Sequence, residues 1–292
     1  MRIDFKGRVA IVTGAGGGLG RQHALALAAR GAKVLVNDLG GARDGSGGSV
    51  SAAEAVVAEI RAAGGEALAN GASVTDWDAV QAMVKQAVDA WGRVDILVNN
   101  AGILRDKSFS KMELADFRLV MDVHLMGAVH CCKAVWPHMI EQKYGRILMT
   151  TSSSGLYGNF GQSNYGAAKL ALVGLMQTLS IEGAKYDIRV NSLAPTAATR
   201  MTEDLMPPAV LEALKPEAVV PAMLALVAEC DGDFKHHLDR TKYPQRYADA
   251  DMPTHRAQAG EFVSRLEARL QVSRCLFADH PALADFAIAP FV

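Results

Sequence analysis

Tyr165 and Lys169 have the residue types and the spacing needed for proton transfer. They are four apart in residues 163–180, where apolar residues recur at helical spacing, so both side chains lie on one helix face. A cation beside a phenol favours the phenolate and lowers the tyrosine pKa, which is roughly 10 when unperturbed. The pair therefore predicts a tyrosine that acts as a base near neutral pH. Such pairs are also common on solvated helix faces, so this spacing alone does not decide between the two interpretations.

Ser152 is a third candidate for this chemistry. It directly follows residues 146–151, an apolar run ended by a Ser/Gly-rich break, which predicts a short buried strand. A serine at the end of that strand can donate a hydrogen bond to a substrate oxygen held at the tyrosine. We therefore predict that Ser152, Tyr165 and Lys169 are catalytic residues positioned by one strand–loop–helix unit, residues 145–180.

A glycine-rich turn near the start of the chain has the form of an anion site. Residues 8–13 predict a buried strand, residues 14–20 a turn, and the residues that follow a helix ending at Gly31. Free backbone N–H groups and the dipole of such a helix favour a pyrophosphate, and glycines let the backbone approach it closely. The cofactor-binding residues predicted from this turn are Thr13, Gly14, Gly18, Leu19 and Gly20.

Asp38 stands at the end of a second apolar run, residues 33–37. A carboxylate at this place accepts hydrogen bonds from both hydroxyls of an adenosine ribose and repels a 2′-phosphate. Asp38 therefore predicts NAD rather than NADP as the cofactor. Two alternatives stay open: Asp38 only caps the following loop, or Arg43 in that glycine-rich loop restores binding of the phosphate.

Strands and helices alternate along most of the chain. Besides the three runs above, strands are predicted at residues 66–70, 94–99 and 188–193. This alternation predicts an α/β fold with a doubly wound parallel sheet, by the right-handed crossover rule. Ligands bind such sheets at the carboxyl ends of the strands, so Ser73 and Val74 are predicted at the adenine edge.

The spacing of Ser152, Tyr165 and Lys169, together with the glycine turn, resembles the signature of the short-chain dehydrogenase/reductase family. The resemblance implies a Rossmann-like fold in which the tyrosine is the base and Lys169 also binds the nicotinamide ribose. It implies further cofactor contacts at Asn100, Ala101, Gly102, Pro195 and Thr199, besides Tyr165 and Lys169 themselves. The loop at Pro195 is one residue shorter than in the family, which leaves the match of Thr199 open.

His124 departs from the family pattern. It lies in a predicted helix, residues 113–141, with a bend near Pro137. Family members usually carry an asparagine there, which holds a water that relays protons to the lysine. A histidine nitrogen can take that place, so His124 is a fourth catalytic candidate. The alternative is a packed histidine with no part in the reaction.

Four stretches are similar to one subgroup of the family, the (3R)-hydroxyacyl-CoA dehydrogenase unit of the multifunctional enzyme of peroxisomal β-oxidation and its bacterial relatives. They are residues 37–41, 99–106, 144–169 and 194–202. The resemblance covers roughly residues 5–228, and the subgroup also carries a histidine at position 124. It implies NAD-dependent oxidation of a 3-hydroxyacyl thioester to the 3-ketoacyl thioester. The alternatives are a dehydrogenase of another secondary alcohol, such as a sterol, and an NAD(H)-binding protein of low activity.

The last part of the chain breaks this resemblance. The seventh strand of the family is missing, and residues 224–292 instead resemble part of the all-helical domain of glutathione S-transferases, without a complete transferase site. We therefore predict an NAD-binding domain at residues 1–228 and a helical tail at residues 229–292, with a helix near residues 254–270. The sixth strand is then expected at an edge of the sheet, covered by the tail or by another subunit.

Composition excludes several classes of partner. The 292 residues carry 30 basic and 31 acidic side chains, so neither nucleic acid nor an anionic membrane is expected. No apolar run is expected to reach the roughly 18 residues that span a bilayer, and no metal site is predicted. The four cysteines lack C-x-x-C spacing, which predicts free thiols in the cytoplasm. We expect a homodimer that meets along helices 113–141 and 163–184 and acts on a small, acyl-CoA-like substrate.

Overall fold

The computed structural model of the chain describes residues 4–195, 237, 240, 241 and 251–272. These residues fall into two compact units, of which residues 4–193 form the larger. The domain boundary predicted at residue 228 lies outside the described residues and stays a prediction.

A parallel sheet of six strands lies at the centre of the larger unit, which confirms the predicted fold class. The strands are β1 Val9–Thr13, β2 Lys33–Asn37, β3 Ala67–Asn70, β4 Ile96–Asn99, β5 Gly145–Thr150 and β6 Ile188–Leu193. Their order is β3-β2-β1-β4-β5-β6. The order reverses between β1 and β4, so the switch point where such sheets bind ligands lies at the carboxyl end of β1. Within the described residues, β6 is an edge strand.

Helices cover both faces of this sheet. They are α1 Gly18–Ala28, α2 Ser51–Ala62, α3 Trp77–Trp91, α4 Leu114–Met121, α5 Gly127–Gln142, α6 Ser153–Tyr157 and α7 Ser163–Gly183. Two short 3₁₀ turns, Phe109–Lys111 and Ala184–Tyr186, join them, and a π-helical segment, Asp122–Met126, connects α4 to α5. The single helix predicted at residues 113–141 is therefore three segments, and α5 continues through Pro137. The short helix α6 was not predicted.

The central strands β1 and β4 are buried along their whole length because helices cover both sheet faces. Ile11 of β1 packs into a core with residues of α3, α5 and α7, such as Met83 and Leu172. The next residue, Val12, packs into a second core with Val56 and other residues of α1 and α2. Neighbouring side chains thus alternate between two cores, which fixes each strand within the sheet. Because the strands are parallel, their carboxyl ends and the loops that follow them lie along the same side of the sheet.

The run of helix from Leu114 to Gln142 corrects one expectation from the sequence. Among the described residues it is long and apolar enough, by length and composition alone, to cross a bilayer. Of its most apolar window, 44% is buried inside the protein, where α5 packs against the sheet. Cys131 and Cys132 in α5 are buried free thiols, whereas Cys230 and Cys275 lie outside the described residues.

The smaller unit contains one long helix among its described residues, α8 Met252–Val272, which confirms the helix predicted near residues 254–270. Asp251 begins it: its backbone oxygen accepts from the His255 N–H at 3.0 Å, and its side chain accepts from the Thr254 hydroxyl at 2.6 Å. A side chain that satisfies groups in the first turn is a common way to fix a helix start.

His23 of α1 makes the stability of the fold sensitive to acid. Burial lowers its pKa to about 4, and its Nε2 has no hydrogen-bond partner among the described residues. In the unfolded chain the His23 imidazole becomes protonated below pH 6.5, whereas in the folded protein it does so only below about pH 4. The free energy of unfolding is therefore highest above pH 6.5 and falls as the pH drops from 6.5 to about 4. We expect the histidine to account for a loss of about 3 kcal/mol across that range. Urea unfolding at several pH values should show a smaller loss for His23→Leu; an equal loss in both proteins would contradict this.

Candidate active site

The turn between β1 and α1 forms a cradle in which several positions require glycine. Gly14 has a positive φ of 60°, and a Cβ at Gly20 would lie 2.1 Å from the Gly14 oxygen and 2.5 Å from Asn100 Nδ2. Gly17 precedes α1, and within the described part of the chain no side chain caps this helix start. The free N–H groups of the first turn, which contains Gly18 and Leu19, therefore face an open place for an anion.

Thr13 holds the cradle together through its hydroxyl. Its Oγ1 accepts from the backbone N–H groups of Asn100 at 3.0 Å and Ala101 at 3.1 Å, and donates to the Val98 oxygen at 3.3 Å. Asn100 returns two hydrogen bonds, from Nδ2 to the oxygens of Thr13 and Gly14. The two residues were predicted as cofactor contacts, and the structure shows that their side chains join the loops after β1 and β4.

Asp38, at the carboxyl end of β2, lies against the same turn. One carboxylate oxygen accepts from the Gly16 N–H at 2.7 Å and the other from the Gly40 N–H at 2.6 Å. A Cβ at Gly16 would approach the carboxylate to 2.8 Å. Asp38 therefore does cap the following loop, and it also borders the glycine turn. Each oxygen keeps lone-pair capacity for a further donor, such as a ribose hydroxyl.

The loop after β2, residues 39–49, crosses the cradle. The Leu104 N–H donates to the Arg43 oxygen at 2.9 Å, and Arg105 Nε donates to the Asp44 oxygen at 2.9 Å. Because β1 lies between β2 and β4 in the sheet, a loop that joins their ends passes over the turn after β1. The sequence did not predict this contact, which narrows the cradle to an enclosed site.

The remaining predicted cofactor contacts lie at the ends of β3, β4 and β6. Val74 is buried, and its oxygen accepts from His130 Nδ1 at 3.0 Å, while the Ser73 hydroxyl bonds that of Thr75. Pro195 is the second residue after the end of β6, and Thr199 lies outside the described residues.

Lys169 and Tyr165 lie together at the start of α7. Lys169 is 3% exposed, and its Nζ is 5.4 Å from the centre of the Tyr165 ring. The ammonium donates to the Thr150 oxygen at 2.6 Å, and the Thr151 hydroxyl donates to the Lys169 oxygen at 2.6 Å. Both contacts come from the end of β5, which fixes the lysine beside the tyrosine.

The pKa values of this pair correct the prediction of a phenolate near neutral pH. Burial raises the pKa of Tyr165 to about 12, the Ser152 hydrogen bond acts against this, and the negative charge of Asp106 adds to it. Burial lowers the pKa of Lys169 to about 7. The prediction was wrong because it counted the attraction of the cation but not the cost of burying a charge. The resting phenol is protonated, and the lysine is the group that titrates near neutrality.

Ser152 begins α6, and this explains how its hydroxyl is directed. Its Oγ accepts from the backbone N–H of Ser154 at 3.2 Å, as a helix N-cap does. A serine hydroxyl has one donor and two acceptor positions. Since an acceptor position is used by the cap, the O–H is left for a ligand oxygen or for Tyr165, with which Ser152 shares a hydrogen bond.

His124 lies in the π-helical segment and faces the tyrosine. The two rings are perpendicular, with centres 5.1 Å apart. His124 Nε2 lies 2.8 Å from the Ile103 oxygen and 3.1 Å from the Ile103 nitrogen, so the backbone of Ile103 can accept from or donate to this nitrogen, as the tautomer dictates. Burial and the charge of Lys169 hold the pKa of His124 well below its ordinary value, so the ring is neutral. Its Nδ1 is buried and has no hydrogen-bond partner in the described structure.

Gly102 makes room for this histidine. A Cβ there would lie 2.3 Å from His124 Cε1. The predicted turn residue thus has a packing reason to be glycine, in addition to its place beside the cradle.

A small cavity joins these groups. Its volume is about 10 Å³, close to the minimum that holds one water. The residues that line it include Thr13 and Ala101 of the cradle, Val74, Asn99, His124 and Lys169. The lysine and the histidine therefore share this cavity with Thr13, the residue that directly precedes the glycine turn.

Sequence reasoning missed several polar residues near the tyrosine. Asn164, fully buried, donates from Nδ2 to the Arg105 oxygen at 3.1 Å and accepts from the Tyr165 N–H at 2.7 Å. Gln162 donates to Asp106 at 2.7 Å. These residues stand in the stretches that resemble the subgroup, but nothing in their spacing shows that they meet.

The cradle, the sheet order and the Ser-Tyr-Lys arrangement are those of a nicotinamide-dependent oxidoreductase. The short chain dehydrogenase family model matches residues 8–208, and the chain belongs to that family. Its members act on CH–OH groups, so this chain is an oxidoreductase with a small-molecule substrate and a nicotinamide cofactor. The cradle fits the pyrophosphate of such a dinucleotide, because the start of α1 has no side-chain cap in the described part of the chain and its first-turn N–H groups remain for an anion.

Named relatives agree with this class. The chain is 58% identical over 222 residues to a short-chain type dehydrogenase/reductase of Mycobacterium tuberculosis, covering 76% of this chain and 78% of the relative. It is 56% identical over 230 residues to the mouse peroxisomal multifunctional enzyme type 2, covering 78% of this chain and 30% of that protein. The crystal structure of NAD⁺-bound xylitol dehydrogenase is 36% identical with a TM-score of 0.62, covering 66% of this chain and 71% of the other.

The match to the mouse enzyme is to a part of a much larger protein, so the chain spans under a third of that relative. The family model ends at residue 208. The likeness of the tail to glutathione S-transferases gains no support from these comparisons.

Proposed function

We propose that the chain oxidises (3R)-3-hydroxyacyl-CoA to 3-ketoacyl-CoA with NAD as the hydride acceptor. One observation carries the proposal: Lys169 and His124 line one cavity with Thr13, next to the glycine turn in sequence, and with Ala101, in the loop after β4, and the Tyr165 ring lies beside both the lysine and the histidine. The substrate class is supported by the likeness to the peroxisomal enzyme. Roles for the whole of that larger enzyme are not carried over to this chain.

Three side chains act on the substrate oxygen and its proton. The Ser152 hydroxyl donates to the oxygen and orients the alcohol. Tyr165 takes the hydroxyl proton as the C3 hydride leaves for the nicotinamide, which a bound dinucleotide would supply. Lys169 binds the nicotinamide ribose. In the reverse direction the protonated phenol of Tyr165 donates its proton to the ketone oxygen.

The high pKa of Tyr165 means that a proton must leave the phenol as another arrives. Lys169, with a pKa of about 7, is neutral in part of the molecules near neutral pH and can accept it. A water in the adjoining cavity, held by His124 Nδ1, can then pass the proton on. In this proposal His124 is a relay group that stays neutral throughout.

We favour NAD over NADP because of Asp38. Its carboxylate borders the glycine turn at Gly16, where a 2′-phosphate would meet a negative charge. We further propose a homodimer along α5 and α7, because α7 exposes Leu170 and Ile181 at 50% and 71%. A molar mass in solution of twice the chain, from light scattering, supports the dimer.

The test is a substrate panel. NADH formation is followed at neutral pH with racemic 3-hydroxyacyl-CoA of several chain lengths, with NAD or NADP, and with a sterol alcohol. We expect consumption of the R enantiomer with NAD, while the S enantiomer remains. Turnover of the sterol alone would contradict the hydroxyacyl-CoA proposal and make sterol alcohols the substrate class. Tight NADH binding without turnover of any alcohol would favour a binding protein of low activity.

A further inference from the structure

Asp106 follows the turn after β4 and lies at the outer end of a hydrogen-bond chain that reaches Ser152. Asp106 Oδ2 accepts from Gln162 Nε2 at 2.7 Å. Gln162, which is 7% exposed, accepts through Oε1 from the Ser154 hydroxyl at 2.8 Å. The Ser154 N–H then donates to Ser152 Oγ. Three contacts thus connect an exposed carboxylate to the residue that orients the substrate oxygen.

The charge of Asp106 fixes which way the Gln162 amide points. An ionised carboxylate only accepts, so it must face the NH₂ group of the amide. The amide oxygen is then left for Ser154 and for Asn159 Nδ2, 3.0 Å away. Gln162 also starts α7, since its backbone oxygen accepts from the Gly166 N–H at 2.7 Å. A rotation of the side-chain amide would therefore break its contacts with Ser154 and Asn159 and disturb the serine loop, while the backbone oxygen continues to hold the start of α7.

The charged and titratable groups that face Tyr165 come from four elements. Lys169 lies on α7 itself, the neutral His124 on the π-helical segment, and Asp106 on the segment after β4. From α4, Asp116 is paired with Arg105 and Lys107. Among these groups, Asp106 is the carboxylate whose negative charge acts on the phenol. The charge raises the pKa of Tyr165 and so favours the protonated phenol.

We propose that Asp106 is a positioning residue for the reaction: it orients Gln162 and places a negative charge before the Tyr165 phenol. This rests on the proposed role of Tyr165 as proton donor and acceptor. The charge adds to burial in favouring the protonated phenol, and the amide holds Ser154, whose N–H donates to Ser152 Oγ.

Asp106→Asn separates these two effects, because an asparagine oxygen still accepts from Gln162 while the charge is gone. We expect the alkaline limb of the kcat/KM profiles, where the Tyr165 phenol titrates, to move to lower pH by roughly half a unit for both alcohol oxidation and ketone reduction. The plateau rates should stay within about threefold of the parent chain. Asp106→Glu, which keeps the charge, should return the profile toward its original position.

Gln162→Met tests the orienting effect alone. It removes the amide but leaves the charge of Asp106, so the plateau should fall about tenfold with the profile unmoved. Asp89→Asn, an exposed carboxylate on α3 paired with Lys85, is the matched control and should change neither quantity. If Asp106→Asn lowers the plateau and leaves the profile in place, Asp106 is only structural and the inference is overturned. Absence of NADH formation by the unchanged chain at every pH would instead refute the proposed function.

Discussion

Tyr165→Phe is expected to lower kcat for alcohol oxidation by about 10²–10⁴-fold. The substitution removes the phenol oxygen that carries the proton and keeps the ring that packs against His124. Hydride transfer from an alcohol without removal of its proton leaves a protonated ketone, which is the costly step that the tyrosine prevents. The affinity for NADH should change little, because the glycine cradle is untouched. Initial rates of NADH formation and a fluorescence titration with NADH measure the two effects.

Tyr144→Phe is the matched control for this experiment. Tyr144 directly precedes β5, at the amino ends of the strands and away from the active site. The guanidinium groups of Arg8 and Arg146 lie 3.7 Å and 4.2 Å from the centre of its ring. The same loss of one hydroxyl should leave kcat unchanged there. A Tyr165→Phe variant that kept most of its turnover would show that another group moves the proton.

Gly20→Ala is expected to weaken the binding of NADH by about 10²-fold or more. The new Cβ would lie 2.1 Å from the Gly14 oxygen, so backbone has to shift by more than an ångström. Displacements of that size in a positioned site cost about 10²-fold. The shift also pushes on Asn100 Nδ2, which ties the loop after β4 to β1. NADH affinity by fluorescence, with circular dichroism to confirm folding, gives the result.

Gly260→Ala in α8 is the control, because the space around Gly260 is open. Alanine in an exposed helix is better than glycine by roughly 0.5–1 kcal/mol, so this variant should bind NADH normally. Equal NADH affinity in Gly20→Ala and the parent chain would mean that the cradle does not hold the cofactor.

The sheet could be predicted from sequence because its strands are buried on both faces. Such strands are mainly apolar runs, and β2 and β6 begin and end at the predicted residues. The glycine turn was predictable for a related reason, since a Cβ at Gly14, Gly16 or Gly20 would meet protein atoms at 2.7 Å or less. The Tyr165 and Lys169 pair followed from helical spacing, which fixes the face on which both side chains lie.

Contacts between distant segments were not predictable, because no local pattern encodes them. Arg105 donates to the backbone oxygen of Asp44 in the loop at residues 39–49. Gln162 donates to Asp106, which lies 56 positions earlier in the sequence. The π-helical segment that turns His124 toward Tyr165 has no sequence signal either. The Tyr165 pKa was mispredicted for the same reason, since burial depends on what the rest of the chain places around the phenol.

A single turnover measures the central claim most directly: Tyr165, beside Lys169 and the glycine cradle, exchanges the proton of a secondary alcohol as hydride leaves. Excess chain saturated with NAD is mixed rapidly with (3R)-3-hydroxyacyl-CoA, and NADH absorbance is followed for the parent chain and for Tyr165→Phe. The account predicts a fast rise in the parent chain and a rise slowed by about 10²–10⁴-fold in the variant. Equal rates in the two proteins, both with NAD bound, would contradict it.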